Sequence, residues 1–279
     1  MRNERKQAGV TLVEMTVVVA IAALMVGLTI PVANMLLNSF ESESGAKSII
    51  SSALASARAI AAKEQRYAGI RFQKRYDPAN PDPLKASQYI IFIVKDDLGN
   101  LANGFRAVDG IQPIKLPDSI GVMDLEIRTN WVDASMNGIG DRTINDNTLI
   151  DSPAEVNATS TFSIIFSPSG KIVTHVVTVR NRDGVPTPDN SDSRSYKHSM
   201  DDIFNSPTNI TNYQIGMFAQ DDYAGGGYGS EFSRNNFIIY DTKKFKQVPY
   251  NNRWDGYLKQ IAQKPVYINP YTGTIINER

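Results

Sequence analysis

The 279-residue chain contains no cysteine and only two histidines, His175 and His198. The first absence excludes a disulfide framework, a thiol nucleophile and a zinc site built on Cys ligands. It says nothing about compartment, because a chain without thiols is indifferent to redox state. Charge of one sign is missing too: 29 Lys plus Arg balance 29 Asp plus Glu, so the net charge is zero. That argues against a generally basic nucleic-acid binder. No H-E-x-x-H, G-x-S-x-G or glycine-rich loop ending in GK[ST] occurs, and AGGGYG at Ala224–Gly229 reads as a flexible tip. His175 lies in a strand-like run, where a structural role is the ordinary one. With 42% hydrophobic and 21% charged residues, the chain still has the make-up of a folded protein. At about 150 residues per domain, it holds one large domain or two small ones.

What the chain does have is a long apolar run near its start. No residue from Met15 to Phe40 is charged, and the run's centre is MTVVVAIAALMVGLTIPVA, Met15 to Ala33. As a helix, that centre spans about 28 Å, close to the hydrocarbon thickness of a bilayer. It is too long for a signal-peptide apolar region, and Pro31-Val32-Ala33 is a poor cleavage signal. Arg2, Arg5 and Lys6 precede the run, and Glu41 and Glu43 follow it. Positive charge stays cytoplasmic, which predicts a single-pass anchor with residues 41–279 exported. Glu14 sits at the edge of the run between Val13 and Met15. A carboxylate there either reaches headgroup water or needs a cation from elsewhere.

The residues around Glu14 form a wider pattern. MRNERKQAG is a short basic leader ending in Gly9, and VTLVEMTVVVAIAALMVGLTIP follows from Val10. This start resembles the class III signal of type IV prepilins and type II secretion pseudopilins. The resemblance implies cleavage after Gly9 by a prepilin peptidase, methylation of the new Val10 amine, and a role for Glu14 in filament assembly. It also implies a helix interrupted at Pro31. Val10 stands where the family usually has Phe or Met. The implied physics is coherent: the glutamate of one subunit neutralises the terminal amine of its neighbour among apolar helices, where an unpaired charge costs several kcal/mol. Small residues such as Ala20, Ala22, Ala23 and Gly27 suit close helix packing.

Beyond Ser39 the pattern turns amphipathic. Ala46, Ile49, Ile50, Ala53, Leu54, Ala57, Ile60 and Ala61 fall on one helical stripe, which predicts a helix to about Glu64. Strand signals follow at Tyr67–Gln73 and Gln88–Lys95, then at Phe105–Val108, Ile111–Leu116 and Ile120–Arg128. SPSG joins Thr161–Phe166 to Lys171–Arg180, DTKK joins Phe237–Tyr240 to Phe245–Val248, and NPYTG joins Val266–Ile268 to Thr274–Ile276; each reads as a hairpin. One long N-terminal helix followed by many strands predicts an α+β fold with antiparallel sheets packed on the helix. The expected organisation is a leader at 1–9, the membrane-spanning half of the helix at 10–40, and an exported domain at 41–279.

The phrases ALASARAIAAKEQRYAGIRF, IKLPDSIGV and FSPSGKIV resemble H-type minor pseudopilins (GspH/FimT-like) over residues 43–180. The resemblance implies a structural, non-enzymatic, pilin-like subunit of a type II secretion pseudopilus in the inner membrane. Its partners would be prepilin peptidase, other pilin or pseudopilin subunits, the inner-membrane assembly platform and membrane lipid. No cofactor or nucleic acid is implied. A minor pilin of a type IV pilus and a membrane-anchored exported enzyme remain as alternatives. Removing residues 1–9 takes out Arg2, Arg5, Lys6 and Glu4, leaving a net charge of −2, which further weakens a DNA-binding reading. Two polar stretches, Asp133–Asn157 and Asn181–Asn236, read as long surface loops. Asp141, Asn145, Asn147 and Asp151 offer oxygen ligands for Ca²⁺, but their spacing is not that of an EF-hand.

Overall fold

The computed structural model describes residues 13, 15–19, 21, 43–80, 82–96, 104–128, 141–144, 150, 152–181, 201–219 and 231–276. Helix α1 (Glu43–Glu64) is 22 residues long. It ends at Gln65, whose left-handed φ of 51° turns the chain while Arg66 N returns to Ala61 O. Strand β1 (Ala68–Lys74) follows at once and therefore runs back along α1. Next come β2 (Gln88–Asp96), β3 (Gly104–Ala107), β4 (Ile114–Lys115), β5 (Ile120–Met123), β6 (Glu126–Arg128) and β7 (Asp141–Thr143). Helix α2 (Pro153–Thr159) leads into β8 (Phe162–Phe166), β9 (Ile172–Val173) and β10 (Val176–Val179). The rest is β11 (Phe204–Asn205), α3 (Pro207–Tyr213), β12 (Phe218–Ala219), β13 (Glu231–Phe232), β14 (Asn236–Asp241), α4 (Thr242–Gln247), α5 (Lys259–Ala262), β15 (Val266–Ile268) and β16 (Ile275–Ile276). The class is α+β.

The larger sheet has the order β13-β10-β3-β2-β1-β8-β9, with β4 extending the β3 side of β2. Its pairings are antiparallel except β10 with β3. Strand alternation sorts its two faces. Ile70 and Phe72 of β1, Ile90, Phe92 and Val94 of β2, and Phe162, Ile164 and Phe166 of β8 meet the α1 stripe of Ala46, Ile50, Ala53, Leu54, Ala57 and Ala61. The small side chains on α1 let the helix lie close to the sheet. Gly69 allows a similar approach within the sheet: a Cβ there would stand 2.0 Å from Ile164 O. A second antiparallel sheet, β16-β15-β14-β5, adds Ile120, Val122, Phe237, Ile239, Val266 and Ile268 to the same core. Gln88 ties the sheets together: its side chain donates to Val122 O and Ser160 O and accepts from Val122 N, each at 2.8 Å.

The opposite face of the larger sheet is covered as well. Ile91, Ile93, Phe105, Ile165, Val177 and Val179 pack under Ile203, Phe204 and Phe218. This corrects the loop reading of Asn181–Asn236, because residues 201–219 form a folded layer. The segment is polar because its polar groups serve the backbone. Ser206 caps α3 by accepting from Asn209 N, Asp201 Oδ1 accepts from Ile203 N, and Asn205 Oδ1 accepts from Ser206 N. The loop reading of Asp133–Asn157 is corrected likewise at β7 and α2. Ser152 and Glu155 form a capping box at the start of α2, with Pro153 at its first position.

Three strand expectations need revision. The DTKK hairpin is absent, since Asp241 caps α4 by accepting from Lys243 N and Lys244 N, and Phe245 is buried from that helix. Lys171–Arg180 is two strands with different partners: β9 pairs β8, and β10 pairs β3 and β13. Ile120–Arg128 is broken after Met123, where Asp124 N donates to Thr159 O and β6 leaves to pair β7. The other hairpins stand, including β15–β16. There Asn269 Oδ1 accepts from Tyr271 N and Thr272 N, and Gly273 supplies φ 71°.

Candidate functional site

Near the N-terminus, Val13, Met15–Val19 and Ile21 are helical. Their large apolar side chains are 50 to 70% exposed, so the chain's own domain does not cover them. Burying one Val or Ile is worth about 1.5–3 kcal/mol. A row of them in water marks a surface meant for lipid or another protein. Gly9, Val10, Glu14 and Pro31 lie outside the described residues. Among the described residues no helix is long and apolar enough to cross a membrane.

Of the remaining expected positions, Asp141 and His175 fall among the described residues. Asp141 falls in β7, while Asn145, Asn147 and Asp151 lie outside the described residues. Among the described residues no group of three or more His, Asp or Glu side chains could hold a metal ion. His198 and Ala224–Gly229 also lie outside them. His175 sits between β9 and β10, its ring centroid 4.5 Å from that of Tyr67 and 5.5 Å from that of Phe105. Its Nδ1 is 2.5 Å from Val176 O, and its backbone N donates to Ser233 Oγ. This is a packed ring tying β13 to the sheet edge.

Two charged places escaped sequence reasoning. The first is a buried network on the face opposite α1. Arg71 Nη1 donates to Glu231 Oε1 at 2.6 Å and to Ser163 Oγ at 3.1 Å, and Arg71 Nε donates to Gln73 Oε1 at 2.8 Å. Ser163 Oγ donates to Glu231 Oε1, and Gln73 Nε2 donates to Ala219 O. The Arg71 and Glu231 side chains are only 1% and 2% exposed. Arg71 alternates with Ile70 and Phe72, which marks it as facing away from the helix. Its partner, 160 residues away, has no local signal. The second place is Lys74 at the end of β1, 8% exposed beside a cavity. Burial, and then repulsion from Lys246, hold its pKa down at about 8, against the attraction of Asp82.

Compared with known protein families, residues 5–30 match the prokaryotic N-terminal methylation motif. The match covers the start of the apolar helix and the positions expected for processing. It supports a type IV pilin-like protein with a prepilin-type N-terminus. It likewise points to processing by prepilin peptidase, assembly with other pilin subunits and a membrane-anchored N-terminus. No curated protein and no solved structure matches the chain.

Proposed function

We propose that the protein is a structural minor pseudopilin of the H type, assembled into the pseudopilus of a type II secretion system. The methylation motif at residues 5–30 is the observation that carries the prepilin-type part of this reading, and the H-type part rests on the likeness of residues 43–180 to those subunits. The exposed apolar helical residues between 13 and 21 support it, since they need an apolar environment that the domain does not provide. The chain is made as a precursor and cut between Gly9 and Val10. Val10 is methylated, and residues 10–40 hold the subunit in the inner membrane with the 41–279 domain exported. Pro31 lacks an N–H and loosens the helix there. In the filament, Glu14 neutralises the Val10 amine of a neighbour.

The N-terminal sequence and mass of the mature protein from membranes test the processing. A chain beginning at Val10 is the expected result. One beginning at Met1, or cut beyond Ala33, would mean that the motif is not used. The filament role is tested by Glu14→Ala. That change is expected to leave cleavage intact and to cut incorporation into filaments several-fold, because a buried amine loses its counter-charge. Normal incorporation would refute the role of Glu14. Co-isolation with secretion pseudopilins, rather than with pilus subunits, separates the two filament systems.

A further inference from the structure

Lys74 is an ammonium placed where a protein rarely leaves one. It lies on the same face of β1 as Ile70 and Phe72, so its stem runs along the core. Its Nζ donates to Ala86 O at 3.3 Å. An ammonium carries three donors, and burying it costs free energy unless those donors and the charge are answered.

The charged groups facing Lys74 come from three directions. Lys246 of α4 opposes its charge, and Asp82 in the β1–β2 connection favours it. Lys85 from that connection and Asp118 from the turn before β5 line the same cavity. The cavity measures about 240 Å³ and is also walled by Ser87 and Thr242. Its one carboxylate is already engaged: Asp118 takes hydrogen bonds from Lys115 at 2.9 Å and from Ser87 at 3.0 Å, which lower its pKa. Three lysines thus converge on a small space whose single acid is neutralised from outside. An open groove of about 610 Å³ shares Lys85 and Ser87 with the cavity and adds Arg75 and Lys115 against one acid, Asp77, so the approach is basic on balance too.

We propose that this cavity is a binding site for a phosphate-class oxyanion, held by Lys74, Lys85 and Lys246. Three ammoniums against one aspartate leave the lining at +2, which a phosphate or phosphate monoester dianion balances. A tetrahedral group with several acceptor oxygens can answer lysines from β1, the β1–β2 connection and α4 at once, which a halide cannot. A cavity of about 240 Å³ accepts such a group but lies below the usual 300–1,000 Å³ of sites for larger organic ligands. The site lies at the end of β1 that adjoins the start of α1. Under the anchoring proposed above, that is the end nearest lipid. A headgroup phosphate and a soluble phosphate share this chemistry, and only the lipid source rests on that reading.

The test uses the full chain in maltoside micelles, which carry no phosphate, titrated with inorganic phosphate at constant ionic strength set with chloride. Saturable one-to-one binding at pH 7 is expected. Affinity should fall as pH rises past about 8, where Lys74 loses its proton. Lys246→Gln, an exposed change, should weaken binding at least about fivefold, from the loss of one charged contact. Lys74→Met should weaken binding at least about tenfold and remove the fall in affinity above pH 8. It removes a buried charge, so its fold is expected to survive, and thermal melting of the variant checks this. Absence of saturable heat, or undiminished affinity in Lys74→Met, would overturn the proposal. Phosphatidic acid added to the micelles distinguishes the sources: competition with phosphate assigns a headgroup site, and phosphate binding without competition assigns a soluble ligand.

Discussion

Removing Arg71 should do more damage than removing any exposed charge in the chain. Its guanidinium holds Glu231, Ser163 and Gln73 on the face opposite α1, with both ionic side chains almost completely buried. Arg71→Met would take from the buried Glu231 carboxylate the guanidinium that donates to it at 2.6 Å. Such breakage costs about 3–5 kcal/mol. For a domain of roughly this size each kcal/mol lowers the melting temperature by about 2–4 °C, so the expected fall is about 6–20 °C. Glu231→Leu alone should cost a similar amount, since it takes the carboxylate from a buried guanidinium. The double variant removes both charges, and its main debt is the Ser163 hydroxyl, which sits at 0% exposure and loses both partners. An orphaned buried hydroxyl costs about 1–3 kcal/mol, well below either single change. Adding Ser163→Ala should bring the triple variant within about 2 kcal/mol of wild type, the remainder being the lost donor to Gln73. Thermal melting followed by circular dichroism measures these differences. Hydrogen exchange supplies the second readout: Gln73 reaches Ala219 O, so Arg71→Met should deprotect 201–219 before α1. A single-variant cost below about 1 kcal/mol, or no non-additivity in the double, would refute the reasoning.

Three further outcomes follow from the geometry. Lys74 binds its proton less tightly folded, at about 8, than unfolded, near 10.5. The unfolded chain therefore holds more protons between those values, and stability in phosphate-free buffer should rise with pH across that window by up to about 3 kcal/mol. Below pH 8 the penalty is constant. Burial also pushes Tyr240 and Tyr257 upward, which acts in the opposite sense above pH 10, so the rise is read as the difference from Lys74→Met in denaturant titrations. Phe218→Ala should cost about 3–5 kcal/mol, measured by chemical denaturation; a cost under about 1 would mean that 201–219 is a loop after all. Gly69→Ala should cost at least about 2 kcal/mol in the same assay, because its Cβ collides with Ile164 O and the backbone must move.

The elements that could be read in advance are those whose signal is local. The α1 stripe needs only the spacing of its apolar residues, and α1 does end at Glu64. The β1–β2 and β15–β16 hairpins need only alternation and turn residues. The errors share a different cause. A hairpin turn and a helix N-cap can both begin with Asp, and here Asp241 caps α4, Phe245 is buried from that helix, and Val248 beyond it is extended. In 201–219 the apolar residues are few. Ile203, Phe204, Ile210 and Phe218 gain meaning only against a sheet face that the sequence does not display. Arg71 and Lys74 sit among strand residues, and nothing local says that one meets a glutamate in β13 and the other a lysine in α4.

The covered second face constrains how such a subunit can meet its neighbours. With α1 on one side of the larger sheet and residues 201–219 on the other, the sheet offers no open apolar face among the described residues. Among the described residues, contacts through the folded domain then fall to strand edges, loops, single exposed side chains such as Tyr213 and Tyr271, and charged cavities. The N-terminal helical residues add an apolar contribution to assembly, since Val13, Met15, Val17, Val18, Val19 and Ile21 stand exposed. That division has a consequence for the proposed filament. Apolar helix packing is tolerant of sliding, because lipid and neighbouring side chains are equally good apolar partners. Register must come from elsewhere, and a single buried charge pair between Glu14 and a neighbour's amine would supply it. The network beneath 201–219 serves the domain in the same way. Its ion pair adds little net stability over apolar residues, but it favours the seating of β13 that brings Glu231 onto Arg71 of β1 and Ser163 of β8.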